Sequence, residues 1–307
     1  MNKNIKIVLG FIALLVVAVG LSAKNAGPKS SGVANAYCSS DGTLTDTMPI
    51  QSHRSYCIKR TVGASFAVNT PAAYSFSIVD DQGKTLRDFE VDHTKLLHLI
   101  VVRKDLGYFQ HVHPDFDSST GIFTLRDLTF PADGPYRIFA DFTPLGAQMG
   151  SQGMSLSVTS FEDVLVGNGA SYVAQPIGAE ETTKSFDGLQ VTMGTGTLPQ
   201  SGTESMVTFT LSQNGKPVTV LEPYLGALGH AVVLREGSLD FIHAHPVEEM
   251  TAQQNGKISF MVDFPEAGNY KLFTQFKLGG KVITTNFVLR VTQGLNTSMP
   301  GMNHLMH

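Results

Sequence analysis

Six histidines carry the most specific pattern in the chain. "HLIVVRKDLGYFQHVHP" (98–114) and "HAVVLREGSLDFIHAHP" (230–246) each read His, twelve residues, His, one residue, His, Pro. Seven of the seventeen positions are identical between the two stretches. Neutral imidazole is a ligand for zinc, copper, nickel and iron, with nitrogen–metal distances of about 2.0–2.1 Å. One histidine on a strand is usually a surface polar group or a hydrogen-bonded core group, and a single HxH pair is weak evidence. Three placed alike, twice in one chain, call for a geometric reason.

An antiparallel hairpin supplies that reason. With "HLIVVR" running up, "KDLG" turning and "YFQHVH" returning, a turn centred between Asp105 and Leu106 sets Arg103 opposite Tyr108, Ile100 opposite His111 and His98 opposite His113. Residues two apart in a strand share a face, so the three imidazoles point to one side. Opposed Cβ atoms lie about 4.5–5.5 Å apart. The second stretch centres between Gly237 and Ser238, and Gly-Ser suits a type II′ turn. His230 then faces His245, with His243 on the diagonal. An odd loop would scatter the histidines over both faces. Pro114 and Pro246 lack the ladder N–H and end each strand. The expectation is a three-His metal site in each repeat: His98, His111 and His113 in the first, His230, His243 and His245 in the second.

The C-terminal "TSMPGMNHLMH" bears on which metal. Met299, Met302 and Met306 offer soft thioethers, and His304 and His307 add imidazoles, a set that suits Cu(I) and tolerates Cu(II). Copper is therefore the expected ion, with zinc as the alternative, and the tail is a candidate soft-metal site. Met149 and Met154 in "AQMGSQGM" offer further thioethers or are loop filler. His93 is a weaker candidate because Leu225 holds its place in the second unit, and His53 has no identifiable partner. The two cysteines, Cys38 and Cys57, are expected to form a disulfide in an oxidising compartment; two free thiols are the alternative. No C-x-x-C spacing exists to suggest thiol redox chemistry.

The elements that position these residues are strands. Thr, Val, Phe, Tyr and Gly are frequent and amphipathic helical stretches are hard to find. "YSFSIVDDQGKTL", "TGIFTLRDLTFPADGPYRIFADF" and "MSLSVTSF" read as strands broken by turns, and the order recurs as "MVTFTLSQNGKPVTV" and "FPEAGNYKLFTQF". A unit of about 100 residues is duplicated, with the histidine segments 132 residues apart. Each unit reads as a Greek-key β-sandwich. Gly134 and Gly268 make matching bends, and Tyr136 and Tyr270 are placed to return their hydroxyls to the backbone as a tyrosine corner does, or simply to fill the core. The expected layout is a leader over 1–23, a linker over 24–51, sandwiches over 52–161 and 182–293 joined by 162–181, and a Met/His tail over 294–307. The fold class is all-β, two tandem immunoglobulin-like Greek-key sandwiches after an N-terminal hydrophobic helix.

The leader sets the compartment. "MNKNIK" is basic, seventeen uncharged residues follow, and Ala23 suits signal peptidase. An uncleaved anchor over 7–23 is the competing reading. Either places the rest of the chain outside the cytoplasm: periplasmic, secreted or on the cell surface. A net charge of −4 and the lack of a basic patch interleaved with aromatics argue against nucleic acid as a partner.

The paired H-x(12)-H-x-H-P segments, the "FPxxGxYxxF" corners and the Met/His tail resemble bacterial secreted or membrane-anchored proteins with tandem copper-resistance-like, immunoglobulin-like β-sandwich domains. The similarity spans roughly 52–293. It implies a β-sandwich fold and extracytoplasmic copper handling, with a membrane copper transporter or another copper carrier as the implied partner. One departure matters: related periplasmic proteins use a mature N-terminal His as ligand, and cleavage after Ala23 would leave Lys24 there. Three functions stay open. The first is a non-catalytic protein that buffers, sequesters or transfers the ion. The second is a metalloenzyme with an open three-His site, for which Asp117 and Glu249, each four residues after the last His of its segment, are the nearby carboxylates, though no clear general base is identical in both units. The third is a surface interaction module with incidental histidines.

Overall fold

The computed structural model describes residues 56–62, 65–149, 155–244, 246–247 and 256–294, together with the backbone of the short strand β1 (Ala36–Tyr37). The expected leader, His53, Cys38, Met154, His245, Glu249 and the Met/His tail lie outside the described residues. Every regular element among the described residues is a strand. The first unit contains β2 (Tyr56–Val62), β3 (Ala72–Asp80), β4 (Phe89–Glu90), β5 (His98–Arg103), β6 (Phe109–Val112), β7 (Asp115–Asp117), β8 (Ile122–Leu128), β9 (Gly134–Pro144) and β10 (Val158–Val166). The second contains β11 (Thr183–Phe186), β12 (Leu189–Gly194), β13 (Glu204–Gln213), β14 (Lys216–Pro217), β15 (His230–Arg235), β16 (Phe241–Ala244), β17 (Lys257–Asp263), β18 (Gly268–Leu278) and β19 (Lys281–Val291).

In the first unit one sheet runs β2-β3-β8-β7 and the other β10-β9-β5-β6. The chain changes sheet between β3 and β4, between β6 and β7 and again between β8 and β9, the crossing pattern of a Greek-key sandwich. The second unit repeats it. Here β12, β13 and β17 form one sheet with β11 and β14 added, and β19-β18-β15-β16 form the other. Alternation decides which side chains fill each core. Along β12, Leu189, Val191 and Met193 are buried while Gln190, Thr192 and Gly194 are exposed. The first core is built on aromatics such as Tyr74, Phe76, Phe123 and Phe130, the second on Phe209, Phe260, Phe264 and Phe276.

The tyrosine corner is present in both units. The Tyr136 hydroxyl donates to the Ala132 carbonyl at 2.9 Å, and that of Tyr270 to the Glu266 carbonyl at 2.7 Å. Both rings are fully buried, so the corner fixes where β9 and β18 begin. Gly134 takes φ +123°, and a Cβ there would fall 2.3 Å from the Tyr172 ring, so no other residue fits that bend.

Two boundaries differ from the sequence reading. The strand expected to close the first unit at residue 161 continues to Val166, into the stretch read as linker. It continues because Val164 and Val166 still face the core and the ladder to β9 runs on to Gly134. Within the stretch read as the first linker, β1 pairs in parallel with Ser160 and Phe161 of β10. Cys57 is buried in β2 and is not a free thiol.

A third apolar cluster lies between the sandwiches. Strands β5 and β15 are buried on both faces: Leu99, Val101, Ala231 and Val233 point into their own cores, while Ile100, Val102, Val232 and Leu234 point at the other sandwich. Phe109 stacks on Phe273 with ring centroids 4.4 Å apart and planes 9° from parallel. Phe139 meets Phe241 at 5.0 Å, and Lys271 donates its ammonium to the Leu106 carbonyl at 3.0 Å. The two units are therefore packed face to face through the sheets that carry the histidines.

Candidate metal centre between the two sandwiches

Hairpin register places the imidazoles. Ile100 pairs with His111 and Leu99 with Val112, while Arg103 N donates to the Tyr108 carbonyl at 3.2 Å across the turn. In the second hairpin Val232 pairs with His243 and Ala231 with Ala244. Both registers are the ones the even loops dictate. The histidine face of each hairpin is the face turned to the other sandwich, shared with Ile100 and Val102 or with Val232 and Leu234. Two separate sites, one within each repeat, are the expectation. The first trio does come together; of the second, His245 lies outside the described residues, and His230 and His243 stand against the first repeat's histidines in one interdomain cage. The His98 ring lies 6.2 Å from that of His230 and 5.8 Å from that of His243.

His98, His111 and His113 converge most closely. His98 Nδ1 is 3.0 Å from His111 Nε2 and 3.1 Å from His113 Nε2, and the three ligand atoms lie within 4.8 Å of one another. Ligands held at about 2.0–2.1 Å from one ion stand about 3.3–3.6 Å apart, so His98 has to draw back by a few tenths of an ångström from the other two while His111 and His113, no more than 4.8 Å apart, keep or close their separation. His98 is buried, and of the half-buried His111 and His113 the latter borders a shallow surface cleft with Gln110 and Arg126.

The outer partners fix the protons. His98 Nε2 lies 3.2 Å from the Asp92 carbonyl oxygen, which only accepts, so that nitrogen carries the hydrogen and Nδ1 the lone pair. His111 Nδ1 donates to Gln275 Oε1 at 2.8 Å, and the Gln275 amide is oriented by its own donation to Thr284 Oγ1 at 3.1 Å. That leaves His111 Nε2 with a lone pair facing the lone pair of His98. Only His113 could bring a proton inward, and one proton cannot satisfy three converging nitrogens. Outer acceptors that fix the tautomer of a ligating histidine are the usual supports of a metal site. Burial, aided by neighbouring imidazoles, pushes His98 down to about 4 and His113 to about 3, and His111 falls well below its ordinary value for the same reasons. All three are neutral, the form that binds metal.

Two acceptors were missed in the sequence and occupy equivalent places. Asp141 in "FADF" pairs with His98 across the β5–β9 ladder, and Gln275 in "FTQF" pairs with His230 across β15–β18. Each serves the opposite repeat: Gln275 accepts from His111, and Asp141 accepts from His243 Nδ1 at 2.6 Å. Asp141 is buried and also accepts from Thr159 Oγ1 at 3.2 Å. Burial opposes charge on both partners, yet their mutual hydrogen bond outweighs it, holding Asp141 low and His243 high. The signal was legible: a carboxylate or amide in the middle of an apolar strand needs a buried partner.

The remaining candidates scatter. His93 belongs with the cage, its ring centroid 4.7 Å from that of His230. Met149 is exposed and accepts a hydrogen bond from Ser155. Asp117 is exposed and accepts from Ser119 and Thr120, so it is engaged in its own turn.

Known proteins add little about chemistry. No curated protein matches the chain. Among solved structures, Escherichia coli α2-macroglobulin activated by porcine elastase is 12% identical, with 79% of this chain and 20% of that one covered at a TM-score of 0.24. Parabacteroides merdae β-glucuronidase is 11% identical over 78% and 25%, at 0.22. Surface layer protein SbsC, domains 4–9, is 11% identical over 82% and 33%, at 0.23. The chain spans a third or less of each of these, and scores this low carry no argument. One family profile does match, over residues 54–157 and 183–293, a stretch on each sandwich and more than half of the chain. The protein belongs to the family described as Domain of unknown function (DUF8832).

Proposed function

We propose that the protein binds a copper ion through His98 Nδ1, His111 Nε2 and His113 Nε2, and that it buffers or transfers this ion outside the cytoplasm. The observation that supports this most is the convergence of three inward nitrogens whose tautomers are set from outside by Asp92 and Gln275. An all-imidazole set selects borderline metals, and among divalent ions at such a set copper binds more tightly than zinc. Zinc is the competing occupant. The half-buried His113 at the cleft is the natural point of entry and exit. Exchange with a membrane copper transporter or a soluble carrier is the role that an accessible ligand on a fixed pair suits. The N-terminal apolar run, as signal or anchor, accounts for the compartment.

The test is elemental analysis of the full chain after purification and after copper loading, with His98→Ala and His111→Ala beside it. Each variant should hold about one ion fewer than wild type. Undiminished copper in both variants rejects the site.

A further inference from the structure

The cage holds more imidazoles than the first ion uses. His230 is 1% exposed, and neither of its ring nitrogens makes a hydrogen bond of normal geometry, although the nearby Leu225 carbonyl exerts a weak pull on the ring. A buried polar atom left poorly matched is costly, so a ring with no hydrogen bond of normal geometry at either nitrogen needs an explanation. Its neighbours supply one. The His93 ring stands edge-on to it at 4.7 Å, and the His243 ring lies 5.9 Å from His230 and 5.8 Å from His93. An ion bound at 2.0–2.1 Å sits about 3.2 Å from each ring centre, which puts centroids about 5.2–5.5 Å apart for tetrahedral to trigonal angles. The first trio shows 4.8–5.2 Å. The second, at 4.7, 5.8 and 5.9 Å, is more open on the His243 side, and its nitrogens do not converge as those of the first trio do, so the ion must draw His243 inward.

We propose that a second copper ion binds between His93, His230 and His243, beside the first, and that it fastens one sandwich to the other. The inference rests on the same metal-binding reading but on different residues. His93 comes from the first sandwich, from the turn Asp92–Lys95, in which Asp92 and Lys95 exchange backbone hydrogen bonds. His93 and Thr94 both have positive φ there. The second repeat builds the same turn with Leu225 and Gly226, also at positive φ, so the turn is a scaffold and only one copy carries an imidazole. The two turns touch: a Cβ on Gly226 would come 3.4 Å from Thr94 Cγ2. That approach delivers His93 to His230. His243 is oriented by Asp141, which occupies its Nδ1 and leaves Nε2 directed away from the carboxylate; the same bond favours the protonated ring, so the ion must displace the Nε2 proton to bind there. Each ion thus takes support from both sandwiches. The first is ligated by one repeat and steadied by Gln275 of the other. The second is ligated from both and steadied by Asp141.

The experiment uses the full chain loaded with excess Cu²⁺, desalted and analysed for copper, with His93→Asn, His230→Gln, His113→Gln and the double variant His93→Asn/His113→Gln. Asn keeps the turn because it tolerates positive φ, and unchanged melting in chelator shows that each variant folds. Counts are read against wild type, so copper held elsewhere cancels. His93→Asn and His230→Gln should each lower the count by one, His113→Gln by one, and the double variant by two. A wild-type count with His93→Asn or His230→Gln overturns the second site, and so does a double variant that loses only one ion, since that is a single shared centre. If His93→Asn and His230→Gln each lose an ion while His113→Gln loses none, the second site stands and the first fails.

Discussion

Replacing Gln275 with leucine separates metal binding from folding. In the native protein the Gln275 amide oxygen accepts from His111 Nδ1 at 2.8 Å and holds the ring with its lone pair inward. Leucine has nearly the same size and no acceptor. In the metal-free variant His111 is free to move its proton to Nε2 and donate it to His98 Nδ1, 3.0 Å away. That recovers one net hydrogen bond, worth about 0.5–1.5 kcal/mol. To bind an ion the ring must give up this bond and return the proton to Nδ1, where it is now buried without an acceptor, at about 1–3 kcal/mol. Both terms weigh against the bound state, so metal affinity falls by about 1.5–4.5 kcal/mol, roughly ten- to a thousandfold. The metal-free stability changes little. Competition with a copper chelator measures the first quantity and thermal melting in chelator the second. A variant that melts much lower but binds copper as tightly as wild type would show that Gln275 is a packing residue and that the tautomer argument is wrong.

Three further outcomes follow from the same geometry. Asp141→Asn keeps an acceptor for His243 but removes its charge, and should weaken the second ion about ten- to a hundredfold with the first unaffected, as chelator competition would resolve. The metal-free chain should lose stability as pH falls from about 6.5. His98, His113 and His230 are held by burial at about 4, 3 and 2, below the ordinary 6.5, so the unfolded chain binds protons that the folded chain does not. Each such histidine contributes a slope of about 1.4 kcal/mol per pH unit between its two values, measurable by denaturant titration at pH 7 and pH 5. Phe273→Ala removes a nearly buried ring that stacks on Phe109 across the interface, a loss of about 3–5 kcal/mol. Because each sandwich keeps its own core, calorimetry should show two separated transitions where wild type shows one.

Much of the fold could be read from residue order. The alternating strands, the duplication, the tyrosine corners and both hairpin registers follow from local rules, and Ile100 opposite His111 and Val232 opposite His243 are where the even loops put them. What local rules do not contain is the face-to-face packing of the two repeats. "HLIVVR" and "HAVVLR" carried the clue, since strands with apolar residues on successive positions are buried on both faces. One face fills the sandwich and the other needs a partner. Leu225 matches His93 in the repeat, yet the histidines cluster across the repeats and the cluster does not require each turn to contribute. Asp141 and Gln275 were passed over for a related reason: their partners belong to the other unit.

Copper K-edge absorption on the copper-loaded full chain, read together with an anomalous map from its crystals, tests the central claim most directly. The account predicts nitrogen-only coordination at about 2.0–2.1 Å with imidazole scattering, and a peak within bonding distance of His98 Nδ1, His111 Nε2 and His113 Nε2. A sulfur-dominated shell with no density among these rings would contradict it.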